Sequence, residues 1–243
     1  MMNNFINSNS NSSASKNYDA TLSKTFVSNV FSWMALALLV SGVFAFYFGT
    51  SAEMLRYIYN GAGGMTIFGY VSIFAPFILV MVMGMRFQKL SYGSLVLIFG
   101  LFSALMGISL SSIFVIYKLA SIASVFIITA GTFGAMALLG YTTKTDLTHF
   151  GSILYMALIG IIIASIANYF MQSARMDYII SIIGVLIFTG LTAYDVQKIK
   201  RIGQGLEYGD VTANKLVIMG ALSLYLDFIN LFLFMLRIFG NRK

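Results

Sequence analysis

The chain has 243 residues, of which 59% are hydrophobic and only 9% are charged. Soluble domains carry about 25% charged residues, so this composition excludes a water-soluble globular protein and indicates a polytopic membrane protein. The sequence contains no cysteine and a single histidine, His149, which excludes disulfides, thiolate metal sites and histidine metal clusters. The net charge of +7 comes from basic residues at the ends of apolar segments, a placement typical of membrane proteins rather than of nucleic-acid binding.

The first residues of the chain, MMNNFINSNSNSSASKNYDA, are rich in Asn and Ser. They lack the basic start and the apolar core of a secretory signal peptide, and they contain too little apolar surface to fold alone. We predict a disordered polar tail over residues 1–24 and a transmembrane domain over residues 25–243.

Seven apolar segments follow the tail, and each reaches the length of roughly 20 residues that a helix needs to cross a bilayer. Because backbone polar groups in lipid must be paired within the segment, each one is predicted to be an α-helix. The predicted spans are 27–49, 65–85, 94–117, 119–141, 150–172, 178–197 and 215–239. The fold class is therefore an all-α bundle of seven transmembrane helices. Lys118 alone separates the third and fourth spans, which are predicted to form a tight antiparallel pair.

The distribution of basic residues between the two sides of the membrane predicts the orientation. If the N-terminus is cytoplasmic, nine of the 15 Lys and Arg residues lie on the cytoplasmic side. The basic C-terminus opposes this bias, but the loop KIKRIGQGLEYGDVTANK favours it. We expect an integral membrane protein with a cytoplasmic N-terminus. The sequence shows no signal peptide and no obvious sorting signal, which fits insertion in a bacterial plasma (inner) membrane.

Small residues at four-residue spacing predict the faces on which two of the spans pack against other helices. They are Ser103, Gly107 and Ser111 in the third span, and Gly160, Ala164 and then Asn168 in the fifth span.

Of the eight acidic residues, only Asp195 and Asp227 fall within apolar spans. An acid at the middle of a membrane helix costs about 2.5–3.5 kcal/mol on insertion scales. Two such residues are poorly explained by chance. We therefore interpret them as the functional centre of the protein.

Residues spaced by three and four positions place Asp227 on a polar stripe of the last span. The stripe is Gly220, Ser223, Asp227 and Asn230, and the opposite side is predicted to carry Leu222, Leu226, Ile229, Leu233 and Leu236. Ser223 and Asn230 are therefore expected to face protein or a water-filled pore. The alternative is that the stripe serves only as interhelical hydrogen bonding, but membrane helices usually use Ser, Thr or Asn for that purpose.

If Asp195 and Asp227 meet, they cannot both ionise cheaply in a medium of low dielectric constant, so the pair shares a proton. The protonated pair is a hydrogen-bonded latch, whereas the ionised pair repels itself and attracts cations. Ca²⁺ prefers about six to eight oxygen ligands. The two acids, Ser223, Asn230 and water approach that number loosely, which suits transient binding during passage.

Arg86 ends the second span on the side of the membrane predicted for Asp195. Two interpretations stay open for it. Arg86 is either an anchor at the membrane interface or an ion-pair partner of Asp195 that latches the second and sixth spans together.

The segments GVLIFTGLTAYDVQKIK and ALSLYLDFINLFLFMLRIFG resemble the two signature regions of the Bax inhibitor-1 family. The segment FVSNVFSWMALALLVSGVFAFYFG is similar to that family's first span, and the resemblance covers about residues 22–243. It implies a central last helix wrapped by six others. It also implies a pH-sensitive calcium leak controlled by a di-aspartyl pair, here Asp195 and Asp227, and an arginine latch that corresponds loosely to Arg86.

Three other functions are alternatives to the leak. An intramembrane aspartyl protease has little support, because Asp227 lies in LYLD rather than in a Gly-x-Gly-Asp setting and the sole proline is Pro76. A retinal-type receptor needs a lysine in the middle of the last span, which is absent. The remaining alternative is a non-conducting regulator of other membrane proteins, since the resemblance implies such roles in cell-death and protease pathways. We expect no enzyme activity and no cofactor; the expected partners are the lipid bilayer, Ca²⁺ and protons.

Overall fold

The computed structural model describes the side chains of residues 22–60, 64–206 and 212–243, and the backbone alone of residues 2–21 and 211. The helices are α1 (Met2–Thr50), α2 (Ala52–Ile58), α3 (Ile67–Met85), α4 (Tyr92–Leu110), α5 (Ser112–Ile116), α6 (Leu119–Thr142), α7 (Thr148–Met171), α8 (Ala174–Gln204) and α9 (Val211–Phe239). The predicted disordered tail over residues 1–24 falls mainly outside the described side chains. That boundary therefore stays a prediction.

The seven predicted spans are confirmed within the described part of the chain. Seven stretches are long and apolar enough to cross a membrane, and α4 and α5 together supply the third of them. The sixth span differs from its prediction at its end, because α8 continues to Gln204 instead of ending near residue 197. This extension stays helical because it packs against the rest of the protein: Ile199 is buried, and Gly203 lies against Phe26 and Ser23 of α1.

Helix α9 is the central helix of the bundle, as the resemblance implied. It packs against α1, α4, α6 and α8. Most of its circumference is fully buried, including Ile218, Leu224, Tyr225 and Leu231, and the side that carries Ser223, Leu226 and Asn230 is partly buried. A helix that is buried over most of its circumference is not revealed by a single apolar stripe, since most of its sides are apolar. By contrast, α7 packs against α8, and α3 packs against α2 and α4, so both helices lie at the periphery.

Tyr225 attaches α9 to two of its neighbours in the middle of the bundle. Its hydroxyl lies 2.7 Å from Ser41 Oγ on α1. Ser41 Oγ in turn donates a hydrogen bond to the carbonyl oxygen of Ser103 on α4 at 2.7 Å. The rings of Phe99 and Phe102 meet the Tyr225 ring edge-on. Three helices are thus joined by a short polar chain inside an aromatic cluster.

The packing face predicted for the third span is confirmed, and part of the face predicted for the fifth span is wrong. A Cβ on Gly107 would overlap the backbone of Ser41, so a glycine is needed for α1 and α4 to approach this closely. Gly160 has open space around its Cα instead. Helix α7 makes its close approach at Gly151, which lies against the ring of Tyr194.

The predicted tight pairing of the third and fourth spans is also wrong. Helix α4 packs mainly against α1 and α3, whereas α6 packs mainly against α8 and α9. Between them, Tyr117 and Lys118 adopt extended backbone conformations. The end of the chain binds at this junction: Lys118 N donates to Asn241 O at 3.0 Å, and Lys243 N donates to Ile116 O at 2.9 Å. The extended backbone lets the two spans diverge and lets the C-terminus bind at the turn.

Candidate functional site

The structure brings Asp195 of α8 and Asp227 of α9 together. Their relative exposures are only 3% and 6%, and both side chains line one cavity. The two carboxyl groups lie close enough to interact with each other directly. Both helices run past their predicted boundaries, since α8 ends later and α9 begins earlier than the sequence predicted.

Both carboxyl oxygens of Asp195 receive hydrogen-bond donors. Ser223 Oγ, one turn before Asp227 on α9, donates to Oδ2 at 2.5 Å. The hydroxyl of Tyr155 on α7 donates to Oδ1 at 3.4 Å. Lys198, three residues further along α8, adds a positive charge nearby. Asp195 is thus surrounded by groups that stabilise a negative charge.

Asp227 has a different environment. Its Oδ2 atom is buried and has no hydrogen-bond partner among the described residues. A buried polar atom without a partner costs about 1–3 kcal/mol. Two carboxylates can only accept hydrogen bonds, so a hydrogen bond between Asp195 and Asp227 requires a proton on one of them. The pair is therefore arranged to hold a proton or to attract a cation.

The cavity beside the pair has a volume of about 510 Å³ and is bounded by α7, α8 and α9, with Phe77 contributed by α3. Ser223, Asp227 and Asn230 of the predicted polar stripe line it. Gly220 does not, because it faces Val30 of α1 and Ile199 of α8. The placement of Leu226 on the opposite side was wrong, since Leu226 lines the same cavity.

The oxygen atoms that a cation could use in this cavity are few. Beyond the two carboxyl groups, they belong to Tyr155, Ser165, Ser223 and Asn230. Asn230 uses its NH₂ group to donate to Leu226 O at 2.8 Å, so its carbonyl oxygen is the atom available to a ligand. In the described parts of the chain, no three His, Cys, Asp or Glu side chains lie together where they could hold a metal ion. Ca²⁺ would need water to complete its about six to eight ligands.

Arg86 is not placed beside Asp195. It is an exposed residue directly after the end of α3, a helix that packs against α2 and α4 rather than α8. The described ion pairs are Arg201 with Asp146 and Arg237 with Asp177. The predicted latch contact between Arg86 and Asp195 is therefore not formed in this structure. The peripheral position of α3 is the physical reason.

The C-terminal part of α8 binds the loop between α6 and α7 through hydrogen bonds. The Gln197 side chain accepts a hydrogen bond from Leu147 N at 2.9 Å and donates one to Thr145 O at 2.8 Å. Lys200 Nζ donates to Tyr141 O at 2.7 Å. This network sets the start of α7, the helix that carries Tyr155 to the acid pair.

An ion pair adds to this network at the surface. Arg201 lies 2.7 Å from Asp146 Oδ1. Hydrogen bonds from the side chain and backbone of Thr148, together with Arg201, hold the pKa of Asp146 well below its usual range.

Side chains pack closely on the other side of the pair, where α8 ends and α9 begins. Val30 of α1, Val196 and Ile199 of α8, and Ile218 and Ala221 of α9 are all buried there. None of them lines the cavity. In the described residues, the acid pair is thus open to the cavity and closed off toward the loop that joins α8 to α9.

Tyr155 and Gln197 were missed in the sequence. Tyr155 gives only a weak signal in the sequence, a single hydroxyl within SILYMALIG. Gln197 was placed at the last residue of its span, where a polar residue is expected in any membrane helix.

Comparison with known proteins agrees with the resemblance found in the sequence. Residues 23–243 match the family described as "Inhibitor of apoptosis-promoting Bax1". The chain is 47% identical over 221 residues to the inner membrane protein YbhL of Escherichia coli K12, covering 90% of this chain and 93% of that protein. It is 44% identical over 218 residues to a Borreliella burgdorferi protein (90% and 92% covered) and 40% identical over 231 residues to a Rickettsia prowazekii protein (95% of each covered). The chain is therefore an integral membrane protein that belongs to the Bax inhibitor-1 family.

Proposed function

We propose that this protein is a pH-sensitive leak channel for calcium in a bacterial inner membrane, gated by Asp195 and Asp227. The observation that carries the proposal is a pair of buried carboxyl groups that line one cavity within reach of each other, with Asp227 Oδ2 lacking a donor. Such acids are costly in a membrane and mark ion or proton pathways.

The hydrogen bonds assign different roles to the two acids. Asp195 receives donors from Ser223 and Tyr155, so it is the carboxyl group suited to carry the negative charge. Asp227 is suited to hold the proton and to donate a hydrogen bond to Asp195. This hydrogen bond would give Asp227 Oδ2 the partner that it otherwise lacks. The titratable groups that face the pair are Tyr155 from α7 and Lys198 on α8.

Loss of the shared proton would open the site. Two negative charges at this distance repel each other in a medium of low dielectric constant, and they attract a cation from the cavity. Ser223 and Asn230 contribute further oxygens, and water supplies the remainder. An incomplete set of protein ligands favours passage over storage, because conduction requires that the ion can leave.

The close packing beside the pair supports a closed conformation. The packed side chains between α1, α8 and α9 must separate before an ion can pass from the pair to the far side. Repulsion between Asp195 and Asp227 acts directly on α8 and α9, the two helices that form most of this barrier. With the N-terminus in the cytoplasm, as the distribution of Lys and Arg predicts, the barrier lies on the cytoplasmic side.

Calcium flux into proteoliposomes loaded with a calcium-sensitive dye tests this proposal. We expect a leak that is small in acid and grows as the pH rises between about 5 and 8, the range over which such a pair can titrate. Asp195→Asn and Asp227→Asn should each change that pH profile. Glu53→Gln, which removes an exposed acid on α2, should leave it unchanged.

Absence of cation flux at every pH, from protein shown to be folded, would refute the leak. It would favour the alternative of a non-conducting regulator that restrains other membrane proteins, in which the acid pair is only a structural switch.

A further inference from the structure

The cavity that contains the acid pair opens sideways toward the lipid. Phe77 of α3 and Ile162 and Ile166 of α7 line it, and their side chains are 66%, 50% and 57% exposed. Helices α3 and α7 form no packed interface with each other in the described residues. Phe77 and Ile162 both lie near the middle of their helices. The gap between α3 and α7 therefore faces the hydrocarbon core at mid-depth.

The cavity has mostly apolar walls and one acidic end. Apolar side chains such as Leu158, Ile161 and Phe188 make up most of the lining. The acidic end presents Asp227, whose buried Oδ2 has no donor among the described residues. A molecule that fits both parts has an apolar body and an N–H group that can carry a positive charge. A volume of about 510 Å³ lies within the usual range for small-molecule sites.

We propose that this cavity binds hydrophobic primary amines, which enter from the lipid between α3 and α7 and pair with Asp227. The neutral amine partitions into the hydrocarbon, because an ammonium ion there is costly. At the acid pair its nitrogen takes the shared proton, which gives an ammonium group opposite two carboxylates. The ammonium group pairs with the carboxylate of Asp227, which lines the cavity. One proton moves from carboxyl to amine, and no other reactant is needed.

This inference rests on the proposed function in one respect, since both take the pair to share a proton. It adds a ligand class and a route that avoids the aqueous phase. A bound ammonium group occupies the position that a permeating cation would need, so the amine also blocks the leak.

Binding of radiolabelled 1-aminoadamantane to the protein in lipid nanodiscs tests the inference, with empty nanodiscs as the partition control. 1-Adamantanol is the matched probe, because it has the same apolar body and a hydroxyl donor but cannot become cationic. We expect the amine to bind at least about tenfold more tightly than the alcohol, since a charge-assisted hydrogen bond in a low-dielectric site is much stronger than a neutral one. Asp227→Asn should remove this preference.

Two further variants test the route of entry. Ile162→Trp, which fills the lateral opening, should abolish binding of both probes. Ile163→Trp is the control, because Ile163 is an exposed neighbour on the same helix that does not line the cavity. It should leave binding unchanged.

Equal affinity for amine and alcohol would overturn the inference and would indicate a site for any apolar molecule, such as a lipid acyl chain. A preference for the amine that survives Asp227→Asn would overturn it as well. Selective amine binding by a protein that gives no calcium flux would support the inference and refute only the leak. Calcium flux without selective amine binding would refute only the inference.

Discussion

Substitution of Gly140 by alanine tests the helix crossing that positions Asp195. Gly140 lies on α6 where that helix passes α8, and a Cβ there would overlap the carbonyl group of Ala193, two residues before Asp195. The carbonyl group belongs to the α8 backbone and cannot rotate away, so one of the helices must move. Overpacking of this kind costs about 1–3 kcal/mol.

Gly134→Ala is the matched control, because it makes the same change on the same helix where a Cβ meets open space. Alanine is preferred over glycine inside a helix by about 1 kcal/mol, so the control should be as stable as the wild type or more stable. The free energy of unfolding of Gly140→Ala should therefore lie below that of Gly134→Ala by about 1–3 kcal/mol. Unfolding by SDS in mixed micelles, followed by circular dichroism, measures this difference. Equal stability of the two variants would refute the close approach of α6 and α8.

Three further predictions concern the polar contacts around the site. Gln197→Ala should release the loop between α6 and α7, because both hydrogen bonds from the Gln197 side chain to the loop backbone are lost. Hydrogen exchange of residues 143–147 should therefore rise. Tyr225→Phe should lower the free energy of unfolding by about 0.6 kcal/mol, with an upper limit of about 1.7 kcal/mol, as measured for hydrogen bonds between membrane helices. For Asp146, the lowered pKa means that its stabilising effect is present above its ordinary value of 3.8 and is lost as the pH falls below that value. Asp146→Asn should therefore lower the melting temperature at neutral pH but have little effect well below pH 3.8.

Each of these predictions has a result that contradicts it. Unchanged hydrogen exchange in Gln197→Ala would show that the loop is held by other contacts. A Tyr225→Phe protein as stable as the wild type would show that the hydroxyl contributes nothing at the centre of the bundle. An effect of Asp146→Asn that is the same at neutral and acidic pH would show that the ionised carboxylate is not the stabilising form.

The sequence predicted the parts of the fold that depend on transfer into lipid. The seven spans follow from apolar length, and the interior position of Asp227 follows from the cost of an acid in hydrocarbon. Helix neighbours could not be derived in this way, because lipid-facing and protein-facing surfaces are both apolar. The wrong pairing of the third and fourth spans and the open surface at Gly160 have this cause.

The details of the site depend on contacts between distant parts of the chain. Tyr155 reaches Asp195 only because α7 packs on α8, and the position of α7 depends on Gln197 holding the preceding loop. Gln197 itself lies on a helix that continues past the predicted end of its span. Hydropathy favours an end to the span at that point, whereas burial against α1 and the loop keeps it helical. One interpretation of Arg86 predicted a contact with Asp195, because the two residues were expected at the same height in the membrane. They do not meet, because α3 and α8 are not neighbours.

Infrared difference spectroscopy of the reconstituted protein across the pH range of the flux assay is the most direct test of the gating claim. The claim predicts a carbonyl stretch from a protonated carboxyl group that Asp227→Asn removes. The amplitude of that band should fall over the same pH interval in which calcium flux rises. A band that survives substitution of both Asp195 and Asp227, or a calcium flux that changes while the band stays constant, would contradict gating by a proton shared between these two residues.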